Sequence, residues 1–427
     1  MTRIVPSCSR ARRACLAALA ATLLCVARPA AGEEGAVEVH GFGETLTTAR
    51  VVSNPTQPSD FVLAEARLAL ELDHASRYER LQLRLDVSAD PVRDAIALDL
   101  RTASITTAPT TWLELVIGRQ ALTWGTGDLV FLNDVFPKDY VSFFSGRAPA
   151  FLKVPSTALR ARVFAGPLEL DLVWIPVFEP DRSITGRTLS YFSRDAGEIV
   201  GVDAAYSAAR PDVTLKNGVG AMRASAWAGA WELAAYAHVG FTTQPLAAQP
   251  SSGAPTYARR ISGGASVRVP VGRALLNLEG VYHHNPDDAR GDDPTQPNRE
   301  ARALLGLERE LASNLTLGLQ YLAELTLNHG ALRANAPVPA WEPNEVEHVA
   351  SLRLTGRLLR DALTLSLFAI GSPTRGDLYV APSLDWRATD ALRVSLGANV
   401  MAGEHTHTLF GQLRDDTNVW ARARYTF

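Results

Sequence analysis

Residues 418–427 read NVWARARYTF, and polar and apolar side chains alternate in this stretch up to the last residue. In an extended chain, successive side chains point to opposite faces of the strand. One face therefore carries Trp420, Arg422 and Arg424, and the other carries Tyr425 and Phe427. The stretch predicts a strand with a hydrophilic face and an aromatic edge on its apolar face.

The same period of two recurs along the chain. Between residues 62 and 72, Leu68 and Leu70 belong to one face, whereas Glu65 and Arg67 belong to the other. Further alternating runs lie at 80–87, 168–174, 315–324 and 391–400. The pattern indicates tilted membrane strands, which need about 9–11 residues each to cross a bilayer.

The connections between these runs are of two kinds. Eight short turns alternate with nine other connections that are mostly longer and rich in Pro, Gly, Asp and Asn. The second kind spans 50–60, 89–93, 123–156, 179–216, 242–257, 284–298, 326–344, 372–375 and 402–415. This asymmetry predicts an all-β transmembrane antiparallel barrel of 18 strands, with short periplasmic turns and long extracellular loops. Two of these connections, 89–93 and 372–375, are short, and residues 198–211 suit either an extra strand or a helix in a loop, so 16 strands stays open as the alternative count. A soluble β-sandwich or solenoid is the competing fold.

The first 32 residues predict a secretory signal peptide, because an arginine-rich start is followed by a short apolar run and small residues. The predicted barrel then covers residues 33–427. All three cysteines lie in the first 32 residues, which excludes disulfides and thiolate sites from the mature chain. This segment holds five of the 42 Lys and Arg and no acid, so the mature net charge is −8. That charge argues against nucleic-acid binding.

The connection at 123–156 is the most distinctive one. It is rich in aromatic residues and also carries several charges, and such an apolar loop should pack against other protein. We expect it to fold into the barrel and narrow the pore; the alternative is an extracellular cap over the mouth. The candidate pore-lining and constriction residues of the loop and wall are Asp128, Asp134, Lys138, Asp139, Arg147, Arg80, Arg84, Glu114, Arg160, Arg162, Arg422 and Arg424.

Within this region, GRQ at 118–120, WGTGD at 124–128 and NDVFPKDY at 133–140 resemble outer-membrane porins of the alginate-export type and related uncharacterised porin families. The resemblance implies a channel for small solutes or oligosaccharides in a Gram-negative outer membrane. Alginate channels of this type have a strongly basic lumen. Here the inward positions carry both signs of charge, which indicates ladders of ion pairs rather than a strong anion filter.

The end of the chain also resembles a known signal. A terminal Phe427, with Tyr425 two positions before it, resembles the C-terminal signal by which bacterial outer-membrane proteins are recognised by the assembly machinery. As outward aromatics, both side chains would also belong to the aromatic girdle at a membrane rim.

The sequence therefore predicts a porin that is not an enzyme and needs no cofactor or metal. Its expected partners are outer-membrane lipid, the assembly machinery and small solutes, and a homo-oligomer is possible. The alternatives are a structural barrel that sheathes a partner protein and an outer-membrane hydrolase. Two loop stretches, 283–293 and 405–407, contain histidines or aspartates that could bind a metal, and we interpret both as solvated loops.

Overall fold

The computed structural model describes residues 36–127 and 129–427. The predicted signal peptide and Asp128 lie outside this range. Eighteen antiparallel strands form one sheet. In chain order they are β1 Val37–Arg50, β2 Phe61–Ala75, β3 Glu79–Asp90, β4 Ala95–Thr110, β5 Leu113–Gln120, β6 Ser156–Ala165, β7 Leu168–Ile175, β8 Val219–Ala228, β9 Trp231–Phe241, β10 Arg259–Val271, β11 Ala274–His284, β12 Glu300–Ala312, β13 Leu315–Thr326, β14 Val346–Leu358, β15 Leu363–Ser372, β16 Asp377–Arg387, β17 Leu392–Gly403 and β18 Asn418–Thr426.

The sheet closes on itself. Each strand pairs with the next one in the chain, and β18 pairs with β1 in a register that runs from Phe42 opposite Thr426 to Arg50 opposite Asn418. The closure continues to the last residue, because Gly41 and Phe427 exchange backbone hydrogen bonds of 3.0 and 2.9 Å. A closed barrel has no unpaired edge. The prediction of an 18-strand barrel is confirmed, and the alternative of 16 strands is wrong.

Side chains alternate between the two faces of the wall as the sequence pattern predicts. On β11, for example, Leu278 points outward and is 54% exposed, whereas its neighbour Glu279 points inward and is 4% exposed. The outer surface is covered by exposed leucines, valines and aromatic residues. Such a surface suits contact with lipid chains.

The short turns and the longer loops lie at opposite ends of the barrel. Residues 198–211 belong to the loop between β7 and β8, where Tyr191–Ser193 and Glu198–Val200 form a small hairpin. A second small hairpin pairs Ala247–Ala248 with Pro255–Thr256. Short α-helices and 3-10 helices also lie outside the wall strands, at Tyr140–Phe144, Pro149–Phe151, Val202–Ala204, Leu215–Asn217, His329–Asn335, Pro339–Trp341 and Gly411–Asp416. Within the described ranges, no helix is both long and apolar enough to span a bilayer.

Candidate pore and its inward loop

The connection between β5 and β6, residues 121–155, lies inside the barrel, and we call it the inward loop. It contacts inward side chains on widely separated parts of the wall. On one side it is bonded to Glu279 of β11. On the other side, the Phe144 carbonyl accepts hydrogen bonds of 3.0 Å from the side-chain amides of Asn399 on β17 and Asn418 on β18. The loop therefore crosses the lumen.

The carboxylate of Glu279 is the main polar anchor of the loop. Its two oxygens accept four hydrogen bonds, from the backbone N–H and hydroxyl of Thr126 at 2.9 and 2.8 Å and from the backbone N–H and side-chain amide of Asn133, both at 2.9 Å. Hydrogen bonds to an ionised acceptor are stronger than neutral ones. This single wall residue thus fixes two points of the loop.

The aromatic and aliphatic residues of the loop pack against apolar side chains that point inward from the wall. Phe144 meets the ring of Tyr379 on β16 edge-on, with 5.3 Å between the centroids. Val130 and Leu132 pack in a cluster whose wall members are Val281, Leu304, Leu322 and Val349, from β11 to β14. These contacts give the apolar residues of the loop a buried environment.

The loop approaches β18 so closely that one position requires glycine. Gly146 has a φ of +78°, and a Cβ atom there would lie 2.3 Å from the ring of Trp420. Glycine has no such atom and adopts positive φ without strain. The Gly146 carbonyl also accepts a hydrogen bond of 3.2 Å from Arg422.

A cavity of about 650 Å³ remains between the inward loop and the wall formed by β14–β18. Within residues 36–127 and 129–427, its charged lining residues are Arg147, Arg353, Asp385, Arg393, Arg422 and Arg424. Two further carboxylates lie behind this surface, since Glu44 and Glu65 are each only 3% exposed. The exposed lining is therefore rich in arginine.

The carboxylates behind the lining hold the arginines in place. Glu44 pairs with Arg424 at 2.6 Å and with Arg422 at 3.7 Å. Glu65 pairs with Arg147 of the loop at 2.5 Å and with Arg67 at 2.6 Å. These pairs hold each guanidinium in a fixed direction at the cavity surface.

Three of the predicted loop charges have bonding partners within the loop, and Asp139 also pairs with Arg182 at 3.3 Å outside it. Lys138 is 2% exposed, and its ammonium donates to the Phe136 carbonyl at 2.7 Å and pairs with Asp134 at 3.0 Å. Asp139 caps the helix Tyr140–Phe144 by accepting from the Ser142 N–H at 2.7 Å. Of the described candidate residues in the loop, Arg147 lines the large cavity, and Arg422 and Arg424 line it from the wall.

The other candidate wall residues form ion pairs along the strands. Arg84 pairs with Asp86 at 3.0 Å, and Arg160 with Asp171 at 2.6 Å. Near the short turns, Arg80 pairs with Asp73 at 2.5 Å. Arg162 bridges Glu114 at 2.9 Å and Glu169 at 3.1 Å. The ladders of ion pairs that mixed charge predicts are present on these strands.

A second, smaller cavity lies on the opposite side of the loop, against β9–β12. It measures about 140 Å³ and is lined by Lys138, Tyr140, His238, Arg260, His283 and Arg302, among others. The sequence interpretation of His283 as part of a solvated loop was wrong. This residue is the last but one of β11 and points inward, where its Nδ1 is 2.8 Å from the Ser262 hydroxyl. The alternation of side chains along each strand could have predicted that these side chains point inward. It could not have predicted that they lie beside the loop.

The aromatic residues at the C terminus point outward. Tyr425 is 49% exposed. The ring of Phe427 lies over Gly41 of β1, where a Cβ atom would come within 2.7 Å of the ring. Both side chains thus lie on the outer face at the short-turn end of the barrel.

Comparison with solved structures finds the same architecture in outer-membrane channels. OccK2 (OpdF) of Pseudomonas aeruginosa, solved in complex with glucuronate, is 13% identical and gives a TM-score of 0.55, with 92% of this chain and 99% of that chain covered. OccAB4 of Acinetobacter baumannii is 8% identical with a TM-score of 0.56, over 92% and 99% of the two chains. This chain shares their barrel fold.

P. aeruginosa OccD3 (OpdP) is similar in the same way, with 11% identity, a TM-score of 0.54 and coverage of 94% and 95%. No family model matches the chain, and no curated protein matches it. At these identities the likeness concerns the fold. The narrower resemblance to alginate-export porins stays a prediction.

Proposed function

We propose that this protein is a channel of the Gram-negative outer membrane through which small hydrophilic solutes diffuse. The observation that carries the proposal is the 650 Å³ cavity beside the inward loop, inside a closed barrel with an apolar exterior. An apolar outer surface requires lipid around it, and a charged inner surface requires water within it. The barrel thus provides both environments that a channel needs.

The proposed passage runs between the inward loop and β14–β18. The loop fills much of the lumen beside this cavity, and Arg147, Arg422 and Arg424 line the part of the cavity that we propose as the constriction. Selectivity in such a pore depends on its width and on the charges placed at the constriction. No covalent chemistry is part of the proposal.

The lining favours anionic over cationic solutes. Among the residues that the structure describes, five arginines and one aspartate line the cavity, and two further carboxylates are buried behind the arginines. A positive surface in a narrow, low-dielectric passage raises the local concentration of anions. Glucuronate, which OccK2 holds in its complex, is a sugar carboxylate. We propose small sugar acids and similar carboxylates as the preferred solute class.

Planar-bilayer recording of the refolded barrel tests the proposal. We expect discrete conductance steps and, in a salt gradient, a reversal potential on the anion-selective side. The double variant Arg422→Gln and Arg424→Gln should shift the reversal potential toward cations. Arg162→Gln is the matched control, because Arg162 lies near the short turns and outside the cavity. The absence of channel events, or cation selectivity in the unmodified protein, would overturn the proposal.

The inward loop bears on the alternative functions. A barrel that sheathes a partner protein needs an open lumen, whereas this loop crosses the lumen and is bonded to both sides of it. The hydrolase alternative would require activity of the reconstituted protein without conductance. For biogenesis, we propose that the outward Tyr425 and Phe427 form the signal for the assembly machinery and that the barrel then contacts outer-membrane lipid.

A further inference from the structure

The cavity of about 140 Å³ on the far side of the inward loop is lined by basic and polar side chains from one level of the wall, by apolar side chains of the loop, and by the carboxylate of Asp134, which pairs with Lys138. Gly240 of β9 lies opposite Arg260 of β10, and His238 lies opposite Ser262. Ser262 in turn lies opposite His283 of β11. From the loop, Lys138 and Tyr140 complete the enclosure.

Two of the three permanent cations around this cavity have partners. Arg302 pairs with Glu300 at 2.6 Å and with Glu324 at 3.1 Å. Lys138 pairs with Asp134 at 3.0 Å. Glu300 and Glu324 therefore offset the charge of Arg302, and Asp134 offsets the charge of Lys138.

Arg260 differs from the other two cations. Among residues 36–127 and 129–427 it makes no hydrogen bond or ion pair, although it lines the same cavity. The nearby Asp181 directs its oxygens to the Lys138 N–H at 2.7 Å and to the Thr243 hydroxyl at 3.1 Å. A partly buried guanidinium without a directly bonded carboxylate is costly, because desolvation of its charge is only partly offset by the more distant Glu300 and Asp181.

His238 supplies an independent indication of a ligand. Its side chain is 4% exposed and lines the cavity, and its Nδ1 has no hydrogen-bond partner within the described part of the chain. Buried polar atoms of native proteins are satisfied by protein, water or ligand in the great majority of cases. The unpaired Nδ1 of His238 can therefore form a hydrogen bond with a molecule in the cavity.

We propose that this cavity binds a small oxyanion, of the phosphate or carboxylate class, which bridges Arg260 and His238 on the wall to the inward loop. The cavity has room for about four to five water molecules at about 30 Å³ each, and hence for an ion of this size. Oxyanions match the planar fork of arginine, and their further oxygens can accept from a lysine or a tyrosine. The ion would fasten the loop to β9–β12 much as Glu279 fastens it to β11.

This site is separate from the proposed passage, which lies on the other face of the loop, and it requires no transport. Its test is therefore a binding measurement on the folded full-length barrel in detergent. Sodium phosphate, and in a second arm sodium acetate, is titrated by calorimetry against a background of constant ionic strength. We expect saturable one-site binding of at least one of the two anions.

The substitution Arg260→Gln should weaken this binding at least about tenfold, since it removes a charged hydrogen-bonding group. Arg268→Gln is the matched control, because Arg268 is an inward arginine of the same strand that lies outside the small cavity. It should bind as the unmodified protein does. Heat-modifiable electrophoretic mobility shows whether each variant has folded.

Hydrogen exchange gives a second readout that does not depend on calorimetric heats. The bound anion should slow exchange of loop residues 131–140 in the unmodified protein and in Arg268→Gln, but not in Arg260→Gln. Heats without saturation for both anions would overturn the proposal. Equal binding by Arg260→Gln, or equal loss in both variants, would overturn it as well, because the anion would then be sensing only the general charge of the lumen.

Discussion

Replacing Glu279 by glutamine perturbs the inward loop at its strongest polar anchor. The carboxylate accepts four hydrogen bonds from Thr126 and Asn133, at 2.8–2.9 Å. A glutamine of the same shape keeps one acceptor oxygen, and its amide group faces two donors that it cannot satisfy. Two bonds are therefore lost, and the other two lose their ionic character.

The expected cost follows from these bonds. A hydrogen bond to a charged group contributes about 1.5–3 kcal/mol, so that the loss of two amounts to about 3–6 kcal/mol. Aromatic packing around Phe144 still holds the other end of the loop, so the opening is confined to the part near residues 122–136. At about 1.4 kcal/mol per factor of ten, the lower figure corresponds to roughly a hundredfold faster local opening.

Hydrogen exchange measured by mass spectrometry on peptides covering 122–136 tests this prediction, and single-channel current should also become noisier. Glu308→Gln is the control, because Glu308 is an inward carboxylate of the neighbouring strand that, within the described chain, forms no hydrogen bond to the loop. If Glu279→Gln exchanges within about threefold of the unmodified protein, the four bonds do not hold the loop and our reasoning is wrong.

Three further predictions concern the same loop. Deleting residues 126–150 should raise single-channel conductance, and an unchanged conductance would show that the loop does not limit the pore. Gly146→Ala should lower the thermal stability of the barrel and alter conductance, because its Cβ atom would collide with Trp420; unchanged melting and conductance would contradict this. Burial raises the pKa of Asp181 from 3.8 to about 6, so the folded state holds this proton more tightly than the unfolded state does. The free energy of unfolding should therefore fall by up to about 3 kcal/mol as pH rises from about 4 to above 6. Denaturant unfolding of Asp181→Asn should lack this slope, and an equal slope in both proteins would refute the assignment.

The barrel could be predicted from the sequence because two independent signals agree. Alternation fixes which side chains share a face, as at Leu278 and Glu279, and the unequal connections fix the number of strands. The apolar inward residues Val281, Leu304, Leu322 and Val349 depart from this pattern. Tertiary packing explains these apolar positions, because Val130 and Leu132 of the loop pack against them.

The details of the candidate site could not be predicted in the same way. Glu279 is one of many inward carboxylates, and nothing in its neighbourhood along the chain marks it as the anchor of a loop 150 residues away. The charges of Asp134, Lys138 and Asp139 suggested a constriction, but Lys138 pairs with Asp134, and Asp139 caps a helix and pairs with Arg182. A charge contributes to a pore surface only where the packing leaves it uncovered.

The position of the inward loop, rather than the width of the barrel, therefore decides what each wall charge does. Arg422 lines the large cavity at the point where it also donates a hydrogen bond to the loop backbone at Gly146. Arg260 lines a small cavity that the same loop borders with Lys138 and Tyr140. Arg422 and Arg260 both point inward from the wall, but they lie in different environments. The first environment suits a moving solute, and the second suits a resident ion. Exchanging the loop between barrels of equal strand number should accordingly change selectivity more than exchanging any one wall strand.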